Sequence, residues 1–215
     1  MTGLMLYTSR MTRPVSGSGL FFVDRLFMQN HLRQLLQHYQ AHDAQEQAFL
    51  LQTREFVANH VACCQRDCAV GHITASAWVL APDRQSVLLT HHKKLNRWLQ
   101  LGGHLEDDCS VQAAALREAH EESGLDGLTL LSSDLFDLDV HTIPARGAEA
   151  QHLHFDLRFL MQARQREFVL SDESHQLAWV SLASLQAQML DASLKRMLDK
   201  TLAWDFSRSQ CAAAD

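Results

Sequence analysis

The sequence predicts a mixed α/β layer fold preceded by a helical hairpin, and three observations predict it. Apolar residues recur at helical spacing through residues 24–60. After Gly71 the pattern of residues changes to short runs rich in β-formers, and turn signals separate these runs. Strand patterns also lie on both sides of a helix pattern at residues 110–123, which favours a sheet layered with helices.

Length and composition fit one globular domain with an extension. The chain has 215 residues, of which 47% are apolar and 20% charged. No apolar run approaches the roughly 20 residues of a membrane span, and no apolar core of a secretory signal is found. We therefore expect a cytoplasmic protein without membrane contact. The net charge of −6 argues against nucleic acid as a partner but allows a small anionic substrate that arrives with a divalent cation.

The cysteines favour a reducing compartment, because five is an odd number and a chain of this length needs no disulfide framework. Cys63, Cys64 and Cys68 lie near His60 and His72 in the sequence. Their spacing is not C-x-x-C and no second pair follows, so a structural zinc among them is only a minor alternative.

The N-terminal part divides into a tail and a helical extension. Residues 1–19 show no periodicity and predict a mobile tail. Within the extension, residues 20–68, an apolar stripe predicts a first helix over 24–42, and Asp43 and Glu46 resemble the N-cap and its partner at the start of a second. Both stripes need a surface to bury. We expect them to cover the sheet, the substrate cleft or a partner subunit, which leaves a homodimer as one option.

The main domain is predicted over residues 69–205, and a C-terminal tail over 206–215. Strand-forming runs occupy residues 72–81, 86–92, 135–143, 152–163 and 177–182. The first two make a hairpin, since the turn signal PDR lies between them. A last helix begins at about Leu182 or Ser193.

The helix at residues 110–123 is the best defined in the sequence. It is built of strong helix formers, with Ser110 at the N-cap and Gly124 where a left-handed residue would end it. No lysine occurs from 110 to 125, although acidic residues are frequent there.

Three carboxylates of this helix, those of Glu118, Glu121 and Glu122, share one face within about 100°. Like charges at this spacing cost an isolated helix a few tenths of a kcal/mol per pair. Such a face can hold Mg²⁺ while positions stay open for substrate phosphate oxygens, and the glycines just upstream let the backbone approach the ion. A solvated acidic face is the alternative.

The order of these residues resembles the Nudix box. Five residues separate Gly103 from position 109, and seven separate position 109 from the Arg-Glu pair, as in the box. The positions that match in register are Gly103, Arg117, Glu118, Glu121, Glu122, Gly124 and Leu125. Two positions depart: Ala119 is smaller than the usual apolar residue, and Cys109 stands where the box has its first Glu. The wider resemblance covers about residues 71–190.

This resemblance implies a Nudix-type α/β/α sandwich with a mixed sheet. It also implies a hydrolase that uses Mg²⁺ (or Mn²⁺) to cleave the diphosphate of a nucleoside diphosphate linked to another moiety. By the same resemblance Glu118, Glu121 and Glu122 bind the metal, helped by the carbonyl of Gly103 and by Glu106.

The general base stays open between two residues. Glu118 is one candidate, and Glu173, in a loop where related enzymes can carry the base, is the other. The alternative function is a Nudix-like module that binds a nucleotide without cleaving it, and Cys109 is the feature that favours this alternative.

Arg117, Cys109 and Gly124 are expected to act structurally at the site. In the family the missing Glu pairs with the box Arg and braces the loop. Asp107 or Asp108 could turn toward Arg117 as a substitute acceptor, so we expect Cys109 to loosen the site without abolishing activity.

Further polar residues are candidates for substrate contact. Strand alternation places six of them on one face each of two neighbouring strands, namely Asp137, Asp139, His141, His152, His154 and Asp156. If the strands pair, the two clusters meet, either as a solvated outer face or as a site for substrate or an accessory metal. Lys93 and Arg97 could attract phosphates, although a solvated hairpin turn is equally consistent.

Overall fold

The structure is a computed structural model, and it describes residues 18–93, 96–106, 108–147, 149–169 and 174–207, without the side chains of residues 18–24 and of Ser174. Both Glu173 and Asp107 lie outside the described residues. Of the two predicted tails, only residues 18–19 and 206–207 fall within them.

The predicted helical hairpin is confirmed as α1, Ser18–His38, and α2, Ala44–Asn59. The first helix begins at Ser18, within the stretch predicted as a tail. The second begins as the sequence indicates: the Asp43 carboxylate accepts the N–H of Glu46 at 2.7 Å. The Glu46 carboxylate in turn accepts the N–H of His42 at 2.6 Å, so the turn between the helices is fixed from both sides.

Within the described residues one eight-stranded mixed sheet forms the centre of the fold. Its strands are β1 Gly71–Leu80, β2 Ser86–His92, β3 Arg97–Leu99, β4 Leu101–His104, β5 Thr129–Leu130, β6 Asp137–Ile143, β7 His152–Gln162 and β8 Ser174–Ser181. Strands β1 and β7 pair in parallel, and every other pairing is antiparallel. Strand β1 is buried along its whole length, as expected for a central strand covered on both faces.

Helices cover the two faces of this sheet, which confirms the predicted α/β/α sandwich. One apolar cluster joins α1, α2 and helix α3, Val111–Ser123, to alternate residues of β1 such as Ile73. The other joins the opposite face of β1, around Trp78, to α4, Leu182–Gln186, and α5, Ala192–Leu202. The two starts proposed for the last helix therefore correspond to two helices. None of the described helices is both long and apolar enough to cross a membrane.

A buried charge network lies between β6 and β7. The Arg158 guanidinium donates to Asp137 and Asp139 at 3.0 Å and to Asp156 at 2.7 Å. Asp137 is fully buried and Asp156 is 2% exposed, so the interpretation of these strands as a solvated outer face is wrong. The sequence suggested a solvated face because charged residues are rarely buried unless they are paired. The residues that pair with the Asp137 carboxylate lie far away in the chain, so local patterns did not reveal the pairing.

The same network ties the N-terminal extension to the domain. Glu46 of α2 is fully buried, and its carboxylate accepts hydrogen bonds from Tyr39, Lys200 and the N–H of Leu138. Lys200 of α5 also donates to Asp137 at 2.8 Å. The extension was expected to cover the sheet, the substrate cleft or a partner subunit. In the structure it covers the sheet.

The contact of α2 with the sheet predicts a large loss of stability in the variant Phe56→Ala. The Phe56 ring stacks on Phe155 of β7 with centroids 4.0 Å apart and planes 7° from parallel. Removing it should lower the free energy of unfolding by about 3–5 kcal/mol, measured by urea denaturation. Leu51→Ala on the same helix is the matched control, because Leu51 is 57% exposed and its loss should change stability by no more than about 0.5 kcal/mol. Equal effects of the two variants would contradict this packing.

Candidate active site

Helix α3 is held in register at both ends. The hydroxyl of Ser110 accepts the N–H of Ala113 at 3.1 Å. At the other end Gly124 adopts a left-handed φ of 63° and donates its N–H to the carbonyl of His120. A side chain at Gly124 would also lie 3.0 Å from the Val169 Cβ. These ends, both predicted from the sequence, fix which face of the helix meets β4.

The glycines of β4 make a close contact with that face. A Cβ atom at Gly103 would lie 2.6 Å from the Glu118 carboxylate, and one at Gly102 would lie 2.3 Å from the Ser76 hydroxyl. Gly102 also has φ 150°, and its N–H donates to Glu122 at 3.1 Å. The backbone of β4 therefore lies directly against the carboxylates of α3, and this approach requires glycine.

Arg117 connects the loop before α3 to the carboxylates on the helix. Its guanidinium donates to Asp108 at 2.9 Å, to Glu118 and Glu121 at 3.0 Å each, and to the carbonyl of His104 at 2.9 Å. Asp108 is one of the two acceptors that the sequence proposed in place of the missing Glu, and the structure pairs it with Arg117. Four acceptors surround one cation, so the loop and the helix face are held together.

The carboxylates of this face repel one another. Burial raises the pKa of Glu118 above its ordinary value, the charges of Glu121 and Glu106 raise it further, and Arg117 opposes them. A divalent cation would favour the charged forms in the same way as Arg117 does. The donor set fits Mg²⁺ or Mn²⁺, which prefer carboxylate and carbonyl oxygens.

The three glutamates are not gathered around one point. Glu118 and Glu121 each give one oxygen to Arg117, and Glu122 accepts from Gly102. Among the described residues, one group of three acidic, histidine or cysteine side chains has its ligand atoms within 4.8 Å of one another. That group consists of histidines and contains none of the three glutamates. A cation at α3 would therefore have to draw carboxylate oxygens together against these contacts.

The polar clusters of β6 and β7 meet, as predicted for paired strands. His141 lies opposite His154, and Asp139 lies opposite Asp156. Burial, followed by the charge of His72 and its neighbours, lowers the pKa of His154 to about 3. This imidazole is therefore neutral at neutral pH.

Strand β1 adds polar residues that the sequence reasoning missed. Thr74 and Ser76 donate to one oxygen of Asp156 at 3.0 and 2.7 Å, and Gln100 donates to the other at 3.0 Å. A signal was present, because His72, Thr74 and Ser76 alternate with apolar residues in β1. That alternation would have placed a polar row on one face of an otherwise apolar strand.

The β4–α3 contact lies inside the region that resembles known proteins. A family model described as NUDIX domain matches residues 71–201, from the start of β1 into α5. The chain belongs to the Nudix family. The Nudix box residues Gly103, Glu118, Glu121 and Glu122 lie within the matched region. No curated protein matches the chain.

Nudix structures are also found among its structural neighbours. A Nudix-family hydrolase from Clostridium perfringens is 26% identical, with a TM-score of 0.47 over 62% of this chain and 98% of that one. A C. elegans Ap4A hydrolase binary complex is 20% identical, with a TM-score of 0.49 over 61% and 95%. The NUDIX domain of Shewanella oneidensis NrtR, complexed with ADP ribose, is 18% identical, with a TM-score of 0.43 over 69% and 96%. None of these likenesses identifies the substrate of this chain.

The other expected site residues of this Nudix domain differ in their exposure to solvent. Glu106 is exposed in the loop before α3, and Lys93 and Arg97 are exposed around the β2–β3 turn. The pKa of His141 is lowered first by burial and also by nearby positive charge, including that of Arg97. Glu173 stays a prediction outside the described residues.

The Arg117 contacts predict that Asp108, and not Cys109, supports the loop. Asp108→Ala should lower the free energy of unfolding by about 1–3 kcal/mol, since it removes a charged partner of a half-buried guanidinium. Cys109 is an exposed free thiol, so Cys109→Ala should change stability by no more than about 0.5 kcal/mol. Urea denaturation of both variants makes the comparison.

A third variant, Cys109→Glu, restores the residue type of the box. Because Asp108 already pairs with Arg117, the gain should be about 1 kcal/mol at most. A Cys109→Ala protein that folds normally but has lost all activity would contradict this assignment and make the thiol functional.

Proposed function

We propose that this Nudix protein is a hydrolase dependent on Mg²⁺ or Mn²⁺ that cleaves the diphosphate of a nucleoside diphosphate linked to another moiety. The observation that carries the proposal is the contact of Gly102 and Gly103 with Glu122 and Glu118. This contact sets the β4 backbone against two carboxylates of α3, within the part of the chain that matches the family.

In this proposal Glu118, Glu121 and Glu122 hold the cation, with help from the Gly103 carbonyl and from Glu106. When bound, the ion supplies charge neutralisation for the diphosphate and activation of water. Arg117 keeps the loop and helix aligned, and it remains anchored by Asp108 when Glu118 and Glu121 turn to the cation.

Chemistry at the phosphorus requires a base that removes a proton from the attacking water while the bridging P–O bond breaks. Glu118 and Glu173 both remain candidates. Burial raises the pKa of Glu118, but a cation bound to this carboxylate would lower it, whereas Glu173 is not among the proposed cation ligands.

Substrate phosphates are proposed to approach Lys93, Arg97 and His141. Arg97 and His141 are near enough to interact electrostatically, and an exposed Lys93 extends the positive charge. His152 and His154, also proposed to lie near the substrate, pack against His72.

The alternative of a binding module without activity is weakened by the loop geometry. It rested on Cys109, and Asp108 supplies the acceptor that Cys109 cannot. We also propose a reducing, cytoplasmic location, since the four cysteines in the described part of the chain are free thiols.

Removal of one metal-binding carboxylate tests the function. Glu121→Gln should lower turnover at least about 100-fold with a panel of nucleoside diphosphate derivatives and Mg²⁺, read as phosphate or mononucleotide release. Asp126→Asn is the matched control, because this carboxylate is 88% exposed just beyond the helix, and its turnover should be that of the wild type. Wild-type turnover in Glu121→Gln, or no product from the wild type with any member of the panel, would contradict the proposal.

A further inference from the structure

The histidine cluster on β1 and β7 shares no residue with the glutamate face. Ligand nitrogens of His72, His152 and His154 all lie within 4.8 Å of one another. His72 is 1% exposed, and neither of its ring nitrogens has a hydrogen-bond partner among the described residues. A buried imidazole without a partner is costly, so its position calls for a ligand.

The strands themselves aim these three rings at one point. His72 and His154 are directly opposite in the parallel pairing of β1 with β7. His152 is two residues before His154 and therefore projects from the same face of the sheet. Ligands held on paired strands are positioned more rigidly than ligands on loops.

The spacing of two of these nitrogens matches that of two ligands on a tetrahedral metal ion. The Nε2 atoms of His152 and His154 are 3.3 Å apart. A tetrahedral ion with Zn–N distances of about 2.0–2.1 Å holds its ligand nitrogens about 3.3–3.4 Å apart. A hydrogen bond between these two rings would explain their own distance, but it would leave both nitrogens of His72 without a partner.

A cavity adjoins the cluster at His152. A cavity of about 210 Å³ is lined by His152, Arg66, Cys68 and Glu149, among others. The Glu149 carboxylate lies 3.9 Å from His152 Nε2 and partly offsets the charge of Arg66, which opposes a cation. Two further imidazoles adjoin the cluster, with the His104 ring 4.9 Å from that of His72 and the His141 ring 5.5 Å from that of His154.

We propose that His72, His152 and His154 bind a divalent transition metal ion of the Zn²⁺ class. Three imidazoles suit Zn²⁺ and its neighbours in the first transition row, whereas Mg²⁺ prefers oxygen ligands. Three protein ligands leave a fourth position for water. This assignment does not depend on hydrolytic activity, because it concerns ligands that the glutamate face does not share.

The test is a calorimetric titration of the full chain with Zn²⁺. The protein is prepared without a histidine tag and stripped with a chelator, and excess Mg²⁺ is present to occupy the glutamates. We expect one Zn²⁺ per chain and a higher melting temperature once it is bound. His152→Gln and His154→Gln should each weaken binding at least about 100-fold, since even loss of a residue that only supports a ligand costs up to about that factor.

Three controls make the result specific. His38→Gln removes an exposed imidazole of α1 and should bind Zn²⁺ as the wild type does. Glu121→Gln should also keep Zn²⁺ binding, which separates this cluster from the glutamate face. Co²⁺ in place of Zn²⁺ should give visible bands of tetrahedral intensity that His152→Gln loses.

Circular dichroism and urea denaturation confirm that each variant is folded. Failure of the wild type to bind Zn²⁺, or wild-type affinity in both folded variants His152→Gln and His154→Gln, would overturn the proposal. Loss of Zn²⁺ binding in Glu121→Gln together with its retention in His152→Gln would assign the ion to the glutamates and overturn it as well.

Discussion

The buried carboxylate of Asp137 is the constraint on which the arrangement of this fold depends. Burial alone would raise its pKa, but the hydrogen bond from Arg196 and the charges of Arg158 and Lys200 hold that pKa below its ordinary value. A buried charge is tolerated only when partners replace the lost water, and removal of one partner is strongly destabilising. Since these partners come from β7 and α5, and Glu46 of α2 shares Lys200, the three elements cannot shift independently around β6.

The strand pairings of the sheet connect this network to both candidate sites, the glutamate face of α3 and the histidine cluster. Strand β7, which supplies Arg158, pairs with β1 along its whole length, and β1 pairs with β4 next to the glutamates of α3. The register places Ala75 opposite Gly103 and His72 opposite His154. Strand β1 therefore positions the candidate glutamate site through its row of apolar side chains. It positions the histidine cluster through its row of polar side chains.

Local patterns in the sequence predicted the parts of this arrangement that depend on local contacts. The caps of α3 at Ser110 and Gly124, the N-cap of α2 at Asp43 and the meeting of the β6 and β7 clusters all follow from spacings of a few residues. The burial of Asp137 did not, because Arg196 and Lys200 lie about sixty residues further along the chain. The sequence places His72 near cysteines for the same reason, since only the pairing of β1 with β7 shows that its ring packs against histidines.

The presence of a cysteine at position 109 can be understood from the ion pairs of Arg117. Without a cation, this guanidinium neutralises Glu118 and Glu121. A divalent ion at the same carboxylates, as proposed, would compete with it, so Arg117 would need an acceptor that is not itself a metal ligand. Asp108 could fill that role from one position earlier in the loop, while the thiol of Cys109 is exposed. Because Asp108 supplies the charged acceptor for Arg117, we expect a thiol to be tolerated at position 109.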